Sequence, residues 1–176
     1  MSDPITLFEV PIAAAWNVQG DASRADFIDQ VARQFSMALP VGPNTTARSD
    51  ALTAFWIAPH SWLLVADAIG SPLAGFGEKR DALNAAGGAL FDVSASRVAY
   101  RLAGARAREV LATGCPLDLH PRTFRTGDCA QSLFGHVNVL LSKTDDIPSF
   151  VIIVARSFAR DVHLGLRVAA AQYRLQ

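Results

Sequence analysis

The 176-residue chain is predicted to be an α+β protein, with helices packed on mixed or antiparallel sheets. Three observations predict this. Both halves run in the same order of strands, helix, paired strands and helix. The strand-length runs are bounded by Gly and Pro, and one alternates Val98, Tyr100 and Leu102 with Arg97, Ala99 and Arg101, as a half-buried strand does. Between the strands lie segments of helical period, clearest at Phe27, Ile28, Val31 and Phe35.

Residues 5–10 and 12–18 read as two strands broken at Pro11. The amphipathic helix follows, with Asp21 or Ser23 as its N-cap and Pro40 as its stop. Residues 40–50 form a polar loop with two prolines and a glycine. Strands at 54–57 and 62–65 are turned by Pro59-His60-Ser61. Residues 70–77 are a Gly/Pro loop, and 78–86 a helix closed by Gly87-Gly88. Strands at 89–93 and 97–102 flank a short turn at 94–96. Gly104 then opens a short helix that stops at Gly114. The stretch 115–128 is irregular and proline-bearing. Strands at 130–134 and 137–142 form a hairpin turned at Gly135-His136, 143–148 is a polar turn, and 150–155 is the last strand. Ser157 is placed as the N-cap of a final helix through about Ala171, with Val162, Leu166 and Ala169 on its buried face. No low-complexity tract or sustained repeat is visible. The length fits one domain over 1–176, with a two-lobed arrangement open to it around the 40–50 loop.

Composition narrows the function classes. Sixteen Lys+Arg balance sixteen Asp+Glu, so a non-specific nucleic-acid binder is disfavoured for want of a cationic excess. The longest apolar runs, 137–141 and 151–155, are strand length and far short of a membrane span. The first residues, Met1-Ser2-Asp3-Pro4, lack a basic and apolar leader pattern. The expectation is a cytoplasmic protein with no membrane partner. Hydrophobic residues make up 51% and charged residues only 18%, so part of the surface is expected to be apolar and covered by something else. The two cysteines, Cys115 and Cys129, match no zinc spacing and are read as buried thiols.

The search for chemistry ends early. His60, His120, His136 and His163 pair with no second ligand at metal spacing. There is no phosphate-binding glycine loop of the Walker or dinucleotide type and no nucleophile elbow. Asp145-Asp146 falls in an expected hairpin turn, and Glu109 lies among arginines on a short helix, as in surface pairing. Arg97, Arg101, Arg106 and Arg108 form a local basic cluster, read as a solvated face with an anion or partner-acid site as the alternative.

The second half carries a resemblance. Its elements are Asp92-Val93-Ser94 before Arg97, the L-x-G-x-x-A-R-x-(V/L)-L run over 102–111, and Gly114-Cys115-Pro116-Leu117-Asp118-Leu119-His120-Pro121. Gly127, the 130–133 strand, Gly135 and Arg156-Ser157-Phe158-Ala159 follow. Over about 89–165 the chain resembles the gamma subunit of heterotetrameric sarcosine oxidase, and Trp62-Leu63-Leu64 fits the same pattern in the first half.

That family's fold is similar to the folate-binding domain of glycine-cleavage aminomethyltransferases. Those transferases carry an acidic pair after the hairpin glycine, where this chain has His136-Val137-Asn138-Val139. The resemblance implies a non-catalytic subunit that supports assembly of a flavoenzyme oxidatively demethylating sarcosine to glycine. It implies FAD, FMN and NAD in larger alpha and beta subunits, tetrahydrofolate used by the complex, and no cofactor in this chain. The partners implied are alpha and beta, with delta also open. No catalytic, cofactor-binding or metal residue carries over; Arg97, Cys115, Pro116, Asp118 and His120 are expected to stabilise the fold or an interface. Two alternatives stay open: a stand-alone folate-binding one-carbon transferase or repair factor, and a homo-oligomeric binding module.

Overall fold

The computed structural model describes residues 5–49, 52–66, 74–146 and 148–173. The 70–73 part of the expected Gly/Pro loop lies outside the described residues. The chain divides into two compact units, Pro11–Ala95 and Met1–Val10 with Ser96–Gln176. Each is a five-stranded antiparallel sheet with helices on it, so the expected class holds and the mixed-or-antiparallel alternative resolves to antiparallel.

In chain order the strands are β1 Thr6–Val10, β2 Ala14–Gln19, β3 Thr46–Arg48, β4 Leu52–Ala58, β5 Ser61–Ala66, β6 Ala89–Asp92, β7 Arg97–Ala103, β8 Cys129–Phe134, β9 Val137–Asp145 and β10 Ser149–Ala155. The helices are α1 Ala25–Phe35, α2 Phe76–Ala85, α3 Ala107–Ala112 and α4 Ala159–Ala171.

The unit Pro11–Ala95 has strand order β3-β4-β5-β2-β6 and carries α1 and α2. Its core gathers Trp16, Val18, Leu52, Trp62, Leu64 and Leu90 from the sheet with Phe27, Val31, Phe35 and Leu83 from the helices. Phe35 and Phe76 meet Trp16 edge-on, with centroids at 6.1 and 5.1 Å, a favoured aromatic geometry. Trp62 is 1% exposed and its indole N–H donates to the Pro40 carbonyl at 2.8 Å. Lys79 ties α2 to the end of α1: its ammonium donates to the Gln34 carbonyl at 2.6 Å and lies over the Phe35 ring, where a cation meets the negative end of the helix dipole.

The other unit has order β1-β7-β10-β9-β8 and carries α3 and α4. Val98, Tyr100, Leu102, Val139, Leu141, Phe150, Ile152 and Val154 form the sheet side of its core. Val110, Leu111, Val162, Leu166 and Ala170 cover them from the helices.

The two sheets repeat one topology. Each half of the chain runs ββαβββα, and each half's first strand pairs in the other half's sheet: β1 beside β7, β6 beside β2. Trp16 faces Asp92 and Leu64 as Tyr100 faces Glu9 and Ile152. Val18 faces Trp62 as Leu102 faces Phe150. Gln19 faces Ser61 as Ala103 faces Ser149, and Gly20 and Gly104 follow the two strands. The exchanged strands even share letters, Leu-Phe-Glu-Val against Leu-Phe-Asp-Val. A structural repeat is therefore present, of which the letters keep only that short trace. Sheet packing fixes side-chain size and facing rather than identity.

Several element ends differ from expectation. Helix α1 is entered at Arg24 with no side-chain cap. Asp21 is spent one turn earlier, accepting from the Ser23 N–H at 2.9 Å and its hydroxyl at 2.8 Å, which holds its carboxyl below the usual carboxylate range. The helix ends at Phe35, not Pro40, because Ser36 turns left-handed and its N–H closes on the Ala32 carbonyl. Strand β3 lies within the expected 40–50 loop. Helix α3 has six residues rather than the longer run expected, since residues 104–106 form its approach turn. Strand β9 runs on through Asp145 into the expected polar turn. A 3-10 turn over Arg156–Phe158 precedes α4, so Ser157 does not cap it, and Ala170 is more buried than Ala169.

Candidate functional site

The motif-bearing segment after α3 folds into a turn that anchors in the core. The Cys115 N–H donates to the Leu111 carbonyl at 2.8 Å, and its buried thiol lies 3.7 Å from the Ser132 hydroxyl. Leu119 is buried, whereas Pro116, Asp118 and His120 are exposed. The Asp118 carboxylate accepts from the His120 N–H and from the Thr123 hydroxyl, each at 2.9 Å. Those two bonds, the backbone one foremost, hold its carboxyl below the ordinary carboxylate range. The His120 carbonyl accepts from the Thr123 and Phe124 N–H groups at 2.8 and 2.9 Å. The His120 ring accepts the Arg122 N–H at Nδ1, at 3.2 Å. The turn ends by placing Phe124 in the core, stacked on Phe150 at 6.4 Å. Asp118 and His120 thus serve the turn.

Arg101 and Arg106 of the sequence cluster bond separate acids, while among the described residues the Nε atoms of Arg97 and Arg108 are buried with no hydrogen-bond partner. The Arg97 carbonyl accepts from the Arg156 guanidinium at 3.2 Å. Arg101 donates through Nε to the Ser149 hydroxyl at 2.9 Å and through Nη2 to Asp145 at 3.0 Å. This Arg101–Ser149 bond is the counterpart of Asn17–Ser61 in the other sheet, at 2.8 Å. Arg106 pairs with Glu109 at 3.0 Å, as the surface-pairing reading expects. Asp146 accepts from the Thr126 hydroxyl at 2.9 Å, so the acidic pair divides between two structural bonds. The Arg101–Asp145 pairing was not legible in the sequence, because the two residues come from β7 and β9, separated by β10.

Among the described residues, no three His, Cys, Asp or Glu side chains gather as a metal site. His60 and His136 sit in turns as expected. His163 instead stacks on Tyr100 at 5.1 Å, and the Tyr100 hydroxyl donates to the Ala159 carbonyl at 3.1 Å. Burial, with the Glu9 carboxylate behind it, pushes the Tyr100 hydroxyl above its ordinary range. Cys115 and Cys129 are both buried thiols.

What the surface does offer is apolar. On α4, Leu164 is 60% and Val168 68% exposed. Beside them runs a shallow groove lined by Gly114, Phe134, Gly135, Gly165 and Ala169. Gly114 and Gly165 are small for a reason: a Cβ at either would come within 3.0 Å of the Phe134 ring. Phe8 and Phe91, equivalent residues of the two exchanged strands, are each half exposed. The apolar surface expected from composition is therefore real, and sequence could not place it, since Leu164 and Val168 look like ordinary helix-core letters.

By fold, this is a duplicated, strand-exchanged α+β chain. The sarcosine oxidase, gamma subunit family model matches residues 19–172, and the chain belongs to that family. Among solved structures it is similar to a chain of the heterotetrameric sarcosine oxidase from Corynebacterium sp. U-96 in complex with pyrrole 2-carboxylate. That match has a TM-score of 0.86 at 24% identity and covers 97% of this chain and 85% of that one. It is also similar to an aspartate kinase from Clostridium acetobutylicum, with a TM-score of 0.51 at 9% identity, covering 96% of this chain and 34% of that one. At these identities the structural likenesses speak for the fold. A comparison with curated protein sequences gives no match. Among the described residues no helix is long and apolar enough to cross a membrane.

Proposed function

We propose that this chain is a non-catalytic subunit of a sarcosine-oxidising flavoenzyme complex, where it supports assembly with larger alpha and beta subunits, and with a delta subunit where one is present. The observation that carries the reading is the family match across 19–172, which spans most of both compact units. The geometry supports it. Cys115, Asp118 and His120 are tied into local structure. The exposed apolar face on α4 suits a chain that is covered in its working state. On this reading FAD, FMN and NAD belong to the larger subunits and tetrahydrofolate serves the complex, which works in the cytoplasm. The test is spectroscopic. The purified chain is expected to be colourless and inactive on sarcosine, with flavin absorbance and turnover only in the co-purified complex. Flavin bound stoichiometrically to the isolated chain would refute the reading, and tight tetrahydrofolate binding to it would favour a stand-alone transferase.

A further inference from the structure

We propose that the outward face of α4 is a docking seam for a helix of a partner polypeptide, whose apolar residues meet Leu164 and Val168 and whose carboxylates meet Arg160 and Arg167. This rests on the reading above that the chain works inside a complex. Helix α4 carries two apolar lines. Val162, Leu166 and Ala170 are buried in the chain's own core. Leu164, Val168 and Ala171 point the other way and are exposed. Their spacing of four and then three residues is the spacing at which helices interdigitate. A narrow ridge of this kind, with a groove beside it, fits a second helix packed along α4.

The flanks specify charge. In this register Arg160 and Arg167 occupy the same flanking position, one heptad apart and both exposed. Neither guanidinium makes a hydrogen bond or an ion pair among the described residues. Flanking charges of this kind select partners, and two free guanidinium groups call for carboxylates. The opposite flank is small, with Gly165 opening onto the apolar groove. A partner helix can therefore approach closely there and extend the contact past the single stripe.

The test uses the full chain co-expressed with the larger flavin-binding subunits encoded in the same genome, with affinity measured on reconstituted complex. Leu164→Glu with Val168→Glu is expected to weaken association by about a hundredfold, as loss of central apolar contacts does. Its far-ultraviolet circular dichroism should match wild type, because both side chains are exposed. Arg160→Glu with Arg167→Glu is expected to weaken association by about tenfold and to flatten its salt dependence. That variant decides the matter if the first fails to fold. Wild-type assembly by both double variants would overturn the seam while leaving the subunit reading intact. Failure of the wild-type chain to assemble would overturn both. A dimer of the isolated chain that Leu164→Glu dissociates would reassign the face to a second copy and overturn the partner helix.

Discussion

Replacing Trp62 by Phe tests whether the core of the Pro11–Ala95 unit is organised as described. Trp62 is 1% exposed, sits over Phe27 at 6.1 Å, and donates its only polar hydrogen to the Pro40 carbonyl at 2.8 Å. The substitution acts twice. It strips the Pro40 carbonyl of this donor in a buried place, at about 1–3 kcal/mol. It also removes part of a large ring from a packed core, at about 2 kcal/mol of lost burial and cavity. The sum is about 4 kcal/mol, a large share of the roughly 5–15 kcal/mol that holds a domain folded. At a urea dependence of about 2 kcal/mol per molar, the midpoint should fall by about 2 M. The assay is intrinsic fluorescence against urea. All three tryptophans, at 16, 56 and 62, lie in this unit, so Trp16 and Trp56 still report its unfolding in the variant. A midpoint shift below about 0.5 M, with unchanged slope, would refute the packing described for Trp62.

Two further outcomes follow from local geometry. Gly88→Ala should lower stability by about 1–3 kcal/mol in calorimetry, as overpacking does. Its Cβ would come 2.6 Å from the Phe27 ring and 2.9 Å from the Gln19 carbonyl, and an unchanged melting temperature would contradict that crowding. Asp118→Asn should reduce stability at neutral pH and erase part of its acid dependence. The folded carboxyl titrates below its ordinary value of 3.8, so its contribution is present above that value and is lost as pH falls through the lower folded one. Wild type and variant should converge in that acid window, and a gap that stays constant from neutral to strongly acid pH would contradict the role of the two bonds.

Much of the fold was legible because alternation and period survive in the letters. Val98, Tyr100 and Leu102 read as one sheet face and lie on one. Phe27, Val31 and Phe35 read as one helix face and are buried together. Helix ends were less legible, because the signals compete: Asp21 has the chemistry of a cap but closes the turn before the helix. The strand exchange was beyond local reading, since nothing near Leu7-Phe8-Glu9-Val10 says that β1 pairs with a strand almost a hundred residues away. For the candidate site, the Gly114–Pro121 string pointed to the family, yet only the folded chain shows that Asp118 holds a turn and that Phe124 is its anchor. The apolar face of α4 was hidden for a different reason. A helix with two apolar lines does not reveal by letters which one the chain itself covers.

The central claim is that this chain is a required, cofactor-free member of a larger complex. The most direct measurement is an omission experiment: the larger flavin-binding subunits expressed with and without this chain, followed by native mass spectrometry and sarcosine-dependent peroxide formation. The account predicts one complex containing this chain, with full flavin content and turnover, and loss of both assembly and turnover when it is omitted. A complex of normal mass and normal turnover in its absence would contradict it.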